Sequence, residues 1–150
     1  MGGPAGRDAQ PPGDRTAPVS RLLLDTTLLI DADRSALDLR GVISDDDEVA
    51  VAAVTIAELM VGVLLAPSRH RSRRRAFVEE VIAAVPVVDY GLAVAADHAD
   101  MLVAVRRAGR PRGGHDLIVA ATARATNRTI VTADREAFEG LSGVEYRTYR

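Results

Sequence analysis

Four acidic residues stand where an apolar run meets a predicted helix, and their chemistry is the most informative feature of the sequence. They are Asp25, Glu58, Asp116 and Asp134. In an open α/β sheet the carboxyl ends of the strands meet at one edge, where such sheets bind their ligands. Carboxylates gathered there raise one another's pKa unless cations neutralise them. The sequence therefore predicts a divalent metal site.

Each carboxylate also has a structural interpretation. Asp is favoured at helix N-caps and in first turns, so Asp25, Asp116 and Asp134 could each cap a helix. Glu58 follows Thr55 at the capping-box spacing, so it could bond the Thr55 amide. The two interpretations are compatible, because a helix N-terminus keeps a nearby carboxylate ionised and therefore able to bind a cation.

The donor atoms select the metal. The sequence has no cysteine, and of its histidines only His115 is adjacent to one of the four acids. A set of oxygen donors favours Mg²⁺ or Mn²⁺ over Zn²⁺. One or two such ions activate water and stabilise the oxygens of an in-line phosphoryl displacement, which leaves a 5′-phosphate and a 3′-hydroxyl. The predicted substrate class is a phosphodiester.

The elements that must position these acids alternate between strand and helix. Apolar runs predict strands over residues 21–24, 48–54, 86–90 and 129–132, with a last edge strand over 144–149. Helices are predicted over residues 25–31, more weakly 36–43, then 55–65, 68–85, 91–108, 116–126 and 134–138. This order predicts an α/β fold with a mostly parallel sheet flanked by helices.

Composition limits the class of protein. Residues 21–150 are enough for one domain, whereas the Gly- and Pro-rich residues 1–20 are predicted to be a disordered extension. No apolar stretch reaches membrane-spanning length, and no signal-peptide core is apparent. All 19 basic residues are Arg, and the absence of lysine excludes P-loop and lysine-aldolase chemistry. The absence of cysteine fits a reducing compartment, so a cytoplasmic protein is expected.

The four acids lie in four short motifs. In chain order these are Leu-Leu-Leu-Asp-Thr, Thr-Ile-Ala-Glu-Leu, Asp-Leu-Ile-Val-Ala-Ala and Thr-Ala-Asp-Arg-Glu-Ala-Phe. The ordered set resembles the PIN domain, and most closely the VapC toxins of bacterial toxin–antitoxin pairs. The resemblance runs from about Arg21 to the C-terminus. One mild departure is Val119, where the third motif more usually reads Ile-Ala-Ala.

This resemblance implies a three-layer α/β/α fold and a Mg²⁺- or Mn²⁺-dependent endoribonuclease, inhibited by a small antitoxin and usually dimeric. It implies that Asp25, Glu58, Asp116 and Asp134 are catalytic residues and metal ligands. The first three match the primary ligands, and Asp134 would support a second ion or orient water. Family substrates include transfer RNA and ribosomal RNA. The apolar helices between residues 55 and 85 are the candidates for a dimer face or an antitoxin groove.

Two basic clusters are candidates for contacts with RNA. Arg106, Arg107, Arg110 and Arg112 lie in the approach to Asp116, and Arg110 and Arg112 are predicted to hold the phosphate backbone beside the metal. This cluster could equally be a solvated surface. The segment 69–75 could face RNA, the antitoxin or only solvent. His115 is left out of the catalytic set, because adjacent residues on a helix point in different directions.

Other acidic residues are predicted to be solvated. Asp97 and Asp100 fall on an exposed helix face, and residues 45–47 form a turn that lacks the ligand spacing of a calcium loop. The alternative function is a non-catalytic RNA- or protein-binding module that retains the acidic pocket. A phosphotransfer receiver domain fits poorly, because it would need a lysine late in the chain.

Overall fold

The computed structural model describes residues 20–34 and 37–150, and a parallel sheet lies at its centre. The five strands are β1 (Arg21–Leu24), β2 (Glu48–Ala52), β3 (Val87–Val88), β4 (Thr129–Thr132) and β5 (Tyr146–Thr148). They lie in the order β3-β2-β1-β4-β5, and every neighbouring pair is parallel. The predicted α/β fold with a parallel sheet is confirmed.

Six helices cover the two faces of the sheet in the described part of the chain. They are α1 (Thr26–Arg34), α2 (Ala53–Leu64), α3 (Ser68–Ala84), α4 (Leu92–Ala108), α5 (Gly114–Ala125) and α6 (Arg135–Phe138). One core holds apolar side chains from α1, α2 and α3, and the other holds side chains from α4, α5 and α6. The fold therefore has the three layers that the resemblance implied.

The central strand β1 shows why the sheet is covered on both faces. Leu22 and Leu24 lie in the core with α1–α3, while Leu23 lies in the opposite core with α4–α6. Successive side chains of a strand point to opposite faces, so an uninterrupted leucine run suits a strand buried on both sides. All three leucines are fully buried.

Two predicted elements differ from the structure. The weak helix over residues 36–43 is, within the described residues, only a 3-10 turn at Leu39–Gly41. Asp38 accepts a hydrogen bond from the amide of Arg40, and such local side-chain bonds compete with helix formation. The strand predicted over 86–90 is reduced to Val87–Val88, and the strands over 48–54 and 144–149 are also shorter than predicted.

The register of the strands places the first and last acidic motifs side by side. Leu24 of β1 pairs with Val131 of β4, so Asp25 and Thr132 lie next to each other at the carboxyl edge of the sheet. The predicted extension 1–20 lies outside the described residues except for Ser20. Across the described ranges, no helix is long and apolar enough to cross a membrane.

Candidate functional site

Asp25 is the most deeply buried of the four acids, with 4% of its surface exposed. Its amide donates to the carbonyl of Val131 at 3.1 Å, which continues the β1–β4 ladder and fixes the backbone. Its Oδ2 accepts hydrogen bonds from Thr132 Oγ1 at 2.6 Å and Thr27 Oγ1 at 3.2 Å. Burial raises the pKa of Asp25 above its ordinary value, although these hydroxyl donors oppose the rise.

Glu58 and Asp116 reach the same edge from two helices. Glu58 lies in the second turn of α2 and Asp116 in the first turn of α5, and both are partly buried. Burial is the main cause that raises the pKa of each carboxyl, and the negative charge of Asp25 raises the pKa of both further. The three acids therefore lie close enough to repel one another.

Asp134 caps a helix and belongs to the acidic cluster at the same time. Its Oδ1 accepts a hydrogen bond from the amide of Ala137 at 3.2 Å, which caps α6. Its own amide donates to Thr132 Oγ1 at 2.9 Å. The charge of Asp134 raises the pKa of Asp25 and Asp116, so the four predicted acids converge on one edge of the sheet.

The capping-box interpretation of Glu58 is wrong. Helix α2 begins at Ala53, two residues before the predicted N-cap at Thr55. Thr55 is fully buried, and its hydroxyl has no hydrogen-bond partner among the described residues. Because Thr55 lies inside the helix, Glu58 has no cap to form. Its carboxylate instead interacts with those of Asp25 and Asp116.

His115 lies closer to the acidic cluster than its place in the sequence indicated. Its Nδ1 is 3.7 Å from Glu58 Oε1, and its side chain is largely exposed. His115 opposes part of the rise in the pKa of Glu58 and Asp116, which burial causes. The imidazole contacts the acid of another helix rather than its own neighbour in sequence. The only feature of the sequence that pointed to His115 was its position next to Asp116 at the start of a predicted helix.

The residues fit a hard divalent cation in their chemistry. All four acids offer carboxylate oxygens, which Mg²⁺ and Mn²⁺ prefer, and a cation would remove their mutual repulsion. The hydroxyl of Thr26 is buried near Glu58 and lowers the pKa of that carboxyl in part. Within the described residues, no three acidic or histidine side chains are grouped closely enough to hold an ion as they stand.

The basic residues predicted to hold RNA differ in their surroundings. Arg110 is exposed, and its guanidinium has no hydrogen bond or ion pair to any described residue, while its amide bonds the carbonyl of Val105. The guanidinium of Arg112 donates to the carbonyls of Glu136 and Glu139 instead. In the segment 69–75, Arg73 pairs with Asp33 at 2.7 Å, and Arg71 and Arg74 bond backbone carbonyls.

The remaining acidic candidates lie outside the cluster. Asp97 and Asp100 both pair with Arg124, at 2.7 and 2.8 Å, so this helix face is held by an ion-pair network rather than only solvated. Residues 45–47 form the predicted turn, in which Asp47 Oδ2 accepts a hydrogen bond from the amide of Ser44 at 2.8 Å.

Comparison with known proteins identifies relatives of the chain. The PIN domain family matches residues 22–143. A tRNA(fMet)-specific endonuclease VapC from Shigella flexneri is 30% identical over 97 residues, which cover 65% of this chain and 72% of the relative.

Solved structures of toxin–antitoxin complexes share the fold. VapBC-5 from Mycobacterium tuberculosis, a member of the VapBC family of toxin–antitoxin systems, is 31% identical with a TM-score of 0.72, and the match covers 86% of this chain and 98% of that chain. VapBC2 from Rickettsia felis, bound to a DNA fragment from its promoter, has a TM-score of 0.79 at 17% identity, over 87% and 99% of the two chains. At 17% identity the similarity concerns the fold alone.

Proposed function

Since this chain belongs to the PIN-domain family, and within it to the VapC endoribonuclease toxins, we propose that Asp25, Glu58, Asp116 and Asp134 bind a divalent cation and cut RNA. The observation that carries this proposal is the convergence of the four carboxylates at the carboxyl edge of the sheet. Burial and mutual repulsion raise the pKa of Asp25, Glu58 and Asp116, which is the state a bound cation would relieve.

The side chains divide the work. Asp25, Glu58 and Asp116 are the proposed primary ligands, and Asp134 supports a second ion or orients water. Mg²⁺ or Mn²⁺, when bound, stabilises the charge on the phosphoryl oxygens and lowers the pKa of water. The hydroxyls of Thr132 and Thr27 hold Asp25 Oδ2 in place, so this carboxylate is oriented before any ligand arrives.

Arg110 is the proposed contact for the RNA backbone. It is exposed in the loop that leads to Asp116, and its guanidinium is free to form paired hydrogen bonds with a phosphate. The prediction that Arg112 also contacts RNA stays a prediction. Its guanidinium bonds the carbonyls of Glu136 and Glu139 in this structure.

The proposed location is the cytoplasm. RNA as the substrate and the lack of cysteine both support it.

The proposed antitoxin site is the cleft between α1, α2 and α3. The apolar side chains that line it include Ile30, Leu59, Val63 and Phe77. Glu58 also lies at the wall of this cleft. An amphipathic partner helix suits such a cleft and would reach the acidic cluster through Glu58. Copurification with the antitoxin, lost in a Phe77→Arg variant, tests this site.

A second copy of the chain is the proposed partner for the exposed apolar surface at the end of α2. Val61, Leu64 and Leu65 are exposed there. Exposed apolar surface of this kind marks interaction sites. Light scattering of the purified protein measures whether it forms the dimer.

The experiment that tests the nuclease uses antitoxin-free protein and total cellular RNA with Mn²⁺ or Mg²⁺. Asp116→Asn should reduce cleavage by more than about 100-fold, since changes that only reorient metal ligands already cost roughly 10–100-fold. Asp46→Asn, in the exposed turn, is the matched control and should cut like the wild type. Sequencing the new 5′ ends measures both the activity and its target.

Three outcomes separate the hypotheses. Discrete cuts that disappear with chelator and with Asp116→Asn support the proposal. A folded Asp116→Asn variant that cuts as well as the wild type would refute the site assignment. RNA binding without any cleavage, unaffected by chelator or by Asp116→Asn, would favour the non-catalytic binding module.

A further inference from the structure

We propose that Arg112 is a positioning residue, which fixes Asp134 by holding α6 against the loop that leads to Asp116. This role rests on the proposed function and deepens it. It differs from the role that the sequence predicted for Arg112, which was a contact for RNA.

The contacts of Arg112 define the role. Its Nη1 donates to the carbonyl of Glu136, and its Nη2 donates to the carbonyl of Glu139 at 2.5 Å. These carbonyls lie at the C-terminal end of α6, where a helix has no internal donors left for them. A positive charge at this end is also favoured by the helix dipole. The planar fork of a guanidinium can serve both carbonyls together.

Helix α6 depends on such contacts because it has only four residues. A helix of one turn is unstable without tertiary packing. Asp134 Oδ1 fixes its amino end through the Ala137 amide, and the fully buried Phe138 anchors it to the core. Arg112 fixes the carboxyl end. If that end frays, the Ala137 amide moves with it, and the orientation of Asp134 is lost.

The same side chain links two of the four acids. Arg112 lies four residues before Asp116, in the loop between α4 and α5. Its bonds cross from that loop to the helix that Asp134 begins. One guanidinium therefore sets the distance between the segments that carry these carboxylates.

The test compares Arg112→Ala and Arg112→Lys with Arg110→Ala, the matched change two residues earlier. Steady-state cleavage gives kcat and KM, and hydrogen exchange of the Ala137 amide is measured in metal-free protein. Arg112→Ala should lower kcat by roughly 10–100-fold, since a small displacement of a catalytic group costs that much. Its KM should stay within about threefold. The Ala137 amide should exchange roughly tenfold faster.

The companion variants separate positioning from other roles. Arg112→Lys keeps the charge but bonds one carbonyl at a time, so it should restore part of kcat and part of the protection at Ala137. Arg110→Ala should raise KM and leave exchange at Ala137 unchanged. If Arg112→Ala does not fold, Arg112→Lys is judged by the same two measurements.

Two results would overturn the proposal. One is an Arg112→Ala variant with raised KM, unchanged kcat and normal exchange at Ala137, which would make Arg112 an RNA contact. The other is normal exchange at Ala137 in every Arg112 variant. If the wild type cuts no RNA at all, the nuclease proposal fails, while exchange at Ala137 still decides whether Arg112 holds α6.

Discussion

At the scale of single residues, the Thr132 hydroxyl connects two members of the acidic cluster. Its buried hydroxyl donates to Asp25 Oδ2 at 2.6 Å and accepts from the amide of Asp134 at 2.9 Å. One side chain therefore orients two acids that are far apart in sequence. Where such acids bind a metal, loss of a group that holds them typically costs roughly 10–100-fold in metal affinity or activity.

Thr132→Val tests this influence, because valine keeps the shape and removes the hydroxyl. We expect Mn²⁺ affinity and activity to fall by about 10–100-fold. The free energy of unfolding should fall by about 1–3 kcal/mol, since the Asp134 amide loses its partner. Calorimetric Mn²⁺ titration and chemical denaturation measure the two effects.

Thr55→Val is the control for that variant. The Thr55 hydroxyl is equally buried but has no hydrogen-bond partner among the described residues. Its removal should leave Mn²⁺ binding unchanged and should not reduce stability. Equal losses of Mn²⁺ affinity in both variants would contradict the role assigned to Thr132.

Asp134 and Glu58 differ in whether they cap a helix, belong to the acidic cluster, or do both. For Asp134 both hold, because a residue at an N-cap can bond the helix amide and still face the cluster. For Glu58 only the cluster interpretation holds, because α2 begins earlier than the sequence indicated. Threonine is favoured at an N-cap. In this chain the Thr55 side chain is buried inside α2 instead, because the helix begins at Ala53.

At the level of helices and strands, the start of α5 sets the position of Asp116. A Cβ added to Gly113 would lie 2.8 Å from Asp116 Oδ2, whereas one added to Gly114 would meet nothing within 4 Å. The backbone of Gly113 has φ −58°, which any residue can adopt. The contact with the carboxylate, rather than backbone strain, is therefore what a side chain at Gly113 would change.

Gly113→Ala should displace the Asp116 carboxylate and lower activity by roughly 10–100-fold, while the fold remains intact. Gly114→Ala is its control. It should keep both activity and stability, because a Cβ at this first residue of α5 would meet nothing within 4 Å. Cleavage assays and thermal unfolding of both variants measure this. Wild-type cleavage by Gly113→Ala would show that the site tolerates a moved carboxylate.

Most elements could be predicted from sequence because the apolar runs of this chain are uninterrupted and end at acidic residues. Parallel strands bring their carboxyl ends to one edge, which predicts that the acids gather there. The pairing of β1 with β4, which places Asp25 beside Thr132, is seen only in the structure. The bonds of Arg112 could not be predicted, since its partners lie 24 and 27 residues away. Sequence shows that the residue is charged, but the tertiary structure decides which groups it bonds.

The whole domain separates opposite charge environments at the two edges of its sheet. At the amino edge, Arg128 bonds the carbonyls of Leu22 and Glu48, and Arg21 pairs with Glu48 at 3.1 Å. At the carboxyl edge the acids lack such arginine partners within the described residues. The site is therefore held together by the fold against its own repulsion, as is common where activity opposes stability.

This repulsion predicts how stability depends on pH and metal. The pKa values of Asp25, Glu58 and Asp116 are raised in the folded protein, from ordinary values of 3.8, 4.5 and 3.8. The native state therefore holds these protons more tightly than the unfolded state does. The resulting stabilisation is complete below about pH 4 and is lost as pH rises through the folded values.

In chelator, the wild type should therefore lose stability relative to Asp25→Asn as pH rises from 4 to 7. At pH 7, Mn²⁺ at about 100 times its Kd should restore about 2.7 kcal/mol. That corresponds to a rise in Tm of roughly 5–10 °C for a domain of this size. At pH 4 protons compete for the carboxylates, so the rise should be much smaller. Scanning calorimetry at both pH values measures it, and an equal rise at both would mean that Mn²⁺ binds elsewhere.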